Sequence, residues 1–227
     1  MSHKTFSITK IFNDSSLSAT IYVAAIGGFS SGQELLKTIR DVVPLHPDIH
    51  ISYSGANEFI SPMYVSQQEQ NFYRKAFSGN AVPAIMPNAV TVLRHLFQKE
   101  TYEMELYNEQ RNNAAQYWIN NMKAMSGIAT ANNYSFYGFL QPVLGIGKIS
   151  EPKVENEYHI NVERYASFYP ELIRQTDSAQ YLTNLTSIFD NSPNNVFEDD
   201  CHITDQYQYL VAYSIFVKIA ESGKLKQ

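Results

Sequence analysis

Between Thr20 and Phe59 the hydrophobic pattern changes period twice. Ile21 to Ile26 is a nearly continuous apolar run, which predicts a parallel strand covered on both faces. Ser31 with Glu34 then reads as a capping box, and Leu35, Leu36, Ile39, Val42 and Val43 recur at helical spacing until Pro44 ends the segment. Ile49, Ile51 and Tyr53 alternate with His50, Ser52 and Ser54, a second strand that a right-handed crossover lays parallel to the first.

Further on, Ala115, Trp118, Ile119, Met122 and Met125 mark one face of a helix ending near Gly127, and Tyr134 to Leu140 is an aromatic-rich strand. A loop marked by Gly145, Gly147 and Pro152 follows. Leu182, Leu185, Ile188 and Phe189 predict another helix, Ser192-Pro193-Asn194-Asn195 a turn, and Val196-Phe197 a very short last strand. Thr204 is placed to cap a closing helix through Ile219. Thr5 to Asn13, with Phe6, Ile8, Ile11 and Phe12, suits either a short strand or a helix. Ser61 to Glu105, punctuated by Pro62, Gly79, Pro83 and Pro87, reads as an insertion that either shapes a pocket or serves as plain cover. Strands alternating with helices predict an α/β fold with a parallel sheet.

The 227 residues suit one domain, 1–227, and 44% hydrophobic with 17% charged is ordinary for a globular protein. A net charge of -5 gives no basic field for nucleic acid. Nowhere do about 18 apolar residues run consecutively, so no membrane span is expected, and Met1 to Lys10 lacks a signal-peptide core. The resulting expectation is a cytoplasmic protein, unless a signal preceding Met1 has been lost. Cys201 is the single cysteine, which excludes an intramolecular disulfide and reads as either a small core residue or a reactive thiol.

The predicted strands end at Gly27-Gly28 and at Gly55-Ala56-Asn57-Glu58, and open parallel sheets bind ligands at such carboxyl ends. The stretch IGGFSSGQEL followed by PDIHISYSGANEF resembles the second and third conserved blocks of the SGNH (GDSL-type) hydrolases. Asp199-Asp200-Cys201-His202 is similar to the last block, Asp-x-x-His, and FLQP at 139–142 also recurs in that family. The resemblance runs from about Thr5 to Ala220. It implies a three-layer α/β/α sandwich with a flavodoxin-like sheet, and a serine ester hydrolase acting on acyl or acetyl esters of lipids or saccharides, with no cofactor and no metal. By this resemblance His202 is the general base, Asp199 orients it, and Gly28 and Asn57 furnish oxyanion donors, three of the four parts that acyl transfer needs.

The fourth part is missing. The family's first block, Gly-(Asp/Gly)-Ser, has no counterpart here, so the chain is expected to lack the first strand and to be truncated at its amino end relative to the family. Ser2 and Ser7 lack a glycine-flanked strand end, and Ser30 and Ser31 sit where a helix cap is needed; none is assigned as nucleophile. The chain alone is expected to be inactive or nearly so. Glu58 stands where relatives usually carry Asp, and Tyr207-Gln208 where Gly-Asn commonly follows the last histidine. The alternative is a non-catalytic relative that binds a ligand or serves as an interaction module. His46 and His50 invite a metal reading, which strand alternation and the intervening Pro47-Asp48 oppose.

Overall fold

In the computed structural model, residues 19–60, 99–148, 159–192 and 196–225 are described. Thr5 to Asn13, most of the 61–105 segment, Pro152 and the turn at 193–195 lie outside them. The protein is mixed α/β, with a three-stranded parallel sheet of order β1-β2-β3, formed by β1 (Ile49–Ser54), β2 (Ser135–Leu140) and β3 (Leu182–Asn184). The helices are α1 (Ser31–Lys37), α2 (Asn57–Ile60), α3 (Lys99–Ala131), α4 (His159–Thr176) and α5 (Asp205–Glu221).

The central strand explains the core. Every side chain of β2 from Phe136 to Leu140 is buried, as expected of a strand covered on both faces. Alternation then divides the interior in two. Phe136 and Leu140 join Trp118, Met122 and Met125 of α3 and Tyr165, Tyr169 and Leu172 of α4. Tyr137 and Phe139 join Val211, Ile215 and Ile219 of α5, with Ile49, Ile51 and Tyr53 packed against them. Gly138 lets α3 approach, since a Cβ there would meet Leu182 Cδ2 at 2.7 Å and Met122 Sδ at 3.1 Å.

Several predicted elements change. Residues 19–26 form no strand, and Tyr22, Val23 and Ile26 are 68%, 83% and 47% exposed. β1 is therefore an edge among the described residues, because an apolar run becomes a strand only with a neighbour to hydrogen-bond. The first helix starts one residue earlier than predicted: Ser30 is its N-cap, and the Gln33 carboxamide accepts the Ser30 N–H at 3.0 Å. Glu34 turns instead toward β1. The segment then continues as a π turn, Thr38–Val42, and a 3-10 turn, Val43–Leu45.

Gly127 does not stop α3, which continues to Ala131 before Asn133 adopts a left-handed φ of 60°. The helix expected from Leu182 to Phe189 is instead β3 followed by turns. Backbone pairing decides this, because the Gly138 N–H donates to Tyr181 O and the Leu185 N–H to Leu140 O. α4 escapes the sequence pattern because Pro170 sits inside it, a residue normally taken as a breaker. Val196-Phe197 adds no sheet strand; Phe197 forms an isolated antiparallel bridge with Ile203. Among the described residues no helix is long and apolar enough to cross a membrane.

Two glycines separate packing from propensity. Gly127 is helical and a Cβ there meets nothing within 4 Å, so Gly127→Ala is expected to raise the unfolding free energy by about 0.5–1 kcal/mol. Gly138→Ala forces a methyl against Leu182 and Met122 and is expected to lower it by about 1–3 kcal/mol. Urea unfolding of both variants beside the parent checks the opposite signs.

Candidate functional site

The carboxyl ends of β1 and β2 lie at one level, since Ser54 pairs with Leu140 and the Gln141 N–H donates to Ser54 O at 2.9 Å. Two loops meet this edge. Gly55, at φ 131°, leaves β1 in a backbone conformation that side chains rarely adopt, and a Cβ there would meet Leu140 Cδ1 at 2.7 Å. Asn57 opens α2 directly after it.

The second loop carries residues 196–204. Its stem is closed by the Glu198 N–H to His202 O, at 2.8 Å, and the Thr204 N–H to Val196 O, at 2.9 Å. Three contacts fix it to the scaffold. Asp200 accepts from Tyr165 OH at 2.7 Å, the Leu144 N–H donates to Asp200 O at 2.9 Å, and Gln141 Nε2 donates to Cys201 O at 3.3 Å.

Within this loop Asp199 and His202 are paired. Asp199 Oδ2 lies 2.5 Å from His202 Nδ1, while Oδ1 accepts the N–H groups of Cys201, at 2.9 Å, and His202, at 2.7 Å. Burial pushes the Asp199 carboxyl up, but the two backbone N–H groups and the His202 ring outweigh it, so the group stays below the usual carboxylate range. The His202 side chain is 73% exposed, leaving the rest of its ring open to a reacting molecule. A carboxylate fixed on one ring nitrogen sets the tautomer that leaves the other free to accept a proton.

Asn57 Nδ2 donates to Phe29 O at 3.1 Å, which commits one amide hydrogen and draws the Gly27-Gly28 turn to the start of α2. Gly28 is exposed, at φ 80°, with nothing within 4 Å of where a Cβ would stand. Gly28 and Asn57 are thus brought together through Phe29. Asp199 and His202 are brought to the same edge through Cys201 and Gln141.

The nearby serines offer no free hydroxyl. Ser30, Ser31 and Ser54 are buried. Ser31 Oγ donates to Glu58 Oε2 at 2.9 Å and accepts from Asn121 Nδ2 at 2.9 Å, and Ser54 Oγ accepts from Trp118 Nε1 at 3.1 Å.

Sequence reading missed two acids beside this site, Glu58 buried and Glu34 half-buried. Glu58 Oε1 also accepts the Ser31 N–H at 2.5 Å, and Glu34 Oε2 accepts from Ser52 Oγ at 2.7 Å. Burial pushes Glu34 up to about 7, against hydrogen bonds from Ser52 and Ser54. Burial likewise pushes Glu58 up to about 8, helped by the charge of Glu34 and opposed by the Ser31 hydrogen bonds. The available signal was Ser52 and Ser54 on one face of an otherwise apolar strand, which called for buried polar partners.

Asp199, Cys201 and His202 offer ligand atoms within 4.8 Å of one another. Their chemistry does not suit a resident ion. Both Asp199 oxygens already accept hydrogen bonds, and the Cys201 thiol is pushed up to about 12, by burial first and then by the charges of Asp200 and Asp199, whereas a metal ligand must be a thiolate. His46, exposed at a left-handed φ of 47°, ends a turn. His50 sits among Tyr134 and Phe136, and no metal cluster includes either histidine among the described residues.

Two outcomes follow from these environments. Native Cys201 is expected to resist iodoacetamide at pH 7.5 and to label promptly in denaturant, which mass spectrometry of the intact chain reads directly. His50, whose Nδ1 is buried without a partner, is pushed down to about 4 by burial. A lowered histidine binds fewer protons in the folded state, so its contribution is present above the ordinary value near 6.5 and is lost as pH falls through about 4. Thermal melts between pH 7 and 4 are expected to fall less steeply for His50→Phe than for the parent. No family model matches the chain, and no curated protein or solved structure shows significant similarity to it.

Proposed function

We propose that the chain is the framework of an SGNH-type carboxylic ester hydrolase, of three-layer, flavodoxin-like architecture, directed at acyl or acetyl esters of lipids or saccharides. The observation that carries this reading is the Asp199–His202 pair, with Asp199 Oδ2 2.5 Å from His202 Nδ1 and the ring 73% exposed. In this reading His202 takes the proton of an attacking hydroxyl and returns it to the leaving alcohol. Asp199 holds the ring in the tautomer that can do so and stabilises the imidazolium. Gly28 contributes a backbone N–H to the developing oxyanion, and Asn57 the amide hydrogen that Phe29 O does not occupy; loss of one such donor costs about 100- to 1000-fold in rate.

The hydroxyl itself is not assigned to any described serine. Ser30 and Ser31 are buried and already cap α1 or bind Glu58, a geometry that favours the expectation of a missing nucleophile. The parts of a triad act as a unit, so base and oxyanion donors without a nucleophile retain only a small share of the acceleration.

The 227-residue chain is therefore expected to hydrolyse an activated short-chain ester at a rate that His202→Ala changes by less than about threefold, a barrier difference of about 0.65 kcal/mol. Fusing an apolar strand that ends in Gly-Asp-Ser ahead of Met1 is expected to create activity requiring both that serine and His202. A folded fusion without such activity overturns the hydrolase reading. If the parent chain already hydrolyses the ester and loses about 1000-fold on His202→Ala, the nucleophile lies within these residues, and Ser7, Ser30 and Ser31 are the first to replace.

A further inference from the structure

Helix α4 touches both halves of the site through two phenols one turn apart. Tyr165 and Tyr169 stand at i and i+4, each fully buried, with ring centroids 5.5 Å apart. Tyr169 serves the strand ends. Its hydroxyl donates to Gln141 O at 3.1 Å, and a Cβ built on Gly55 would lie 3.2 Å from the same oxygen, so this phenol rests against the turn that carries Asn57. Tyr165 serves the histidine loop. Its hydroxyl donates to Asp200 Oδ2 at 2.7 Å, and the Cys201 thiol is a second hydrogen-bonding partner.

The Asp-x-x-His turn divides its residues by side. Asp199 and His202 pair with each other on the open side, whereas Asp200 and Cys201 between them are buried. Pairing is internal to the turn, since the Cys201 and His202 N–H groups also end on Asp199 Oδ1. The turn therefore builds its own base and carboxylate, and where they stand is decided by what grips the two inner residues. The Leu144 N–H takes the Asp200 carbonyl at 2.9 Å and the Gln141 carboxamide takes the Cys201 carbonyl at 3.3 Å. The Tyr165 bond is the shortest of the three and the one that ends on a carboxylate, a kind of hydrogen bond about twice as strong as a neutral one. Burial, then the charge of Cys201 and the bond to Asp200, raise the Tyr165 phenol above its ordinary value, which keeps it a donor.

We propose that Tyr165 is a positioning residue for His202: referenced to Tyr169 at the Gly55–Asn57 turn, its hydroxyl sets the separation at which the Asp199–His202 pair faces the oxyanion donors. This role rests on the hydrolase reading of the site and deepens it. Helix geometry makes the two tyrosines a gauge, because i and i+4 are held one turn apart. Packing of the Tyr165 ring on Phe168 and Tyr169, at 6.2 and 5.5 Å between centroids, holds the phenol in place. A loop released from it keeps its Asp199–His202 pair but carries the pair away from the Asn57 turn, and a misplacement of about 1 Å costs about 100-fold in rate.

Tyr165→Phe removes the hydroxyl and keeps the ring. In the 227-residue chain, residue-resolved hydrogen exchange is expected to show a loss of about tenfold or more in protection at the Leu144 amide, whose bond to Asp200 O reports docking of the loop. The Leu185 amide, which donates to Leu140 O in the sheet, is expected to stay within about threefold. The His202 ring is expected to keep its tautomer, read from its nitrogen chemical shifts, because its pairing is internal to the turn. In the Gly-Asp-Ser fusion the same change is expected to lower kcat by about 10- to 100-fold with KM within about twofold. If Tyr165→Phe does not fold, Tyr165→Phe/Asp200→Leu, which replaces both partners with apolar groups of similar shape, carries the same expectations. Unchanged Leu144 protection, an equal loss at Leu144 and Leu185, or an active fusion with unaltered kcat overturns the inference. An inactive fusion in which Leu144 is selectively exposed overturns the hydrolase reading instead and supports the docking role of Tyr165.

Discussion

Parallel pairing of Ile49–Ser54 with Ser135–Leu140 brings two strand ends to the same level, and each further feature of the site hangs from that level. Gln141, the first residue past β2, closes the ladder on Ser54 with its backbone and holds the Cys201 carbonyl with its side chain. Tyr169 adds a second clamp, donating to the Gln141 carbonyl at 3.1 Å. The register matters because a slip of one residue would exchange the two faces of β1, carrying Ser52 and Ser54 away from Glu34 and Trp118 and into the apolar cluster around α5.

The interior beside this ladder is unusual in its division of labour. Toward α5, Ile49, Ile51 and Tyr53 make an apolar contact. Toward α1 and α3, the same strand presents hydroxyls that must be satisfied, and a glutamate and an indole satisfy them. A network of this kind specifies one arrangement of its elements, because any displacement leaves a buried polar group unpaired at about 1–3 kcal/mol each.

The histidine loop is built on the opposite principle. Asp199 is lowered by hydrogen bonds from the loop's own backbone and from the His202 ring, whereas burial raises Glu34 and Glu58. The two acidic centres at one sheet edge therefore differ in kind. Asp199 sits against an exposed ring, whereas Glu58 is buried and Glu34 half-buried beside it. Glu198 and Thr204 close the loop stem through main-chain bonds, which leaves the His202 ring free of structural duty.

What the sequence determined by itself is local. The alternation of Ile49, Ile51 and Tyr53, the aromatic run into Leu140 and the stripe through Trp118, Met122 and Met125 fix β1, β2 and one face of α3, because each depends on side-chain period alone. Asp-x-x-His likewise fixes its own pairing, since three residues of separation let the carboxylate reach both the ring and the loop's N–H groups. Tertiary structure decided whatever needed a distant partner. Ile21 to Ile26 has a strand's composition yet forms none, as pairing is a property of two segments, and Leu182 to Asn184 is a strand only because Leu140 and Gly138 stand beside it. Glu58 was legible as a departure from Asp. Its burial was not, because nothing in the local sequence records that Ser31 of α1 closes over it.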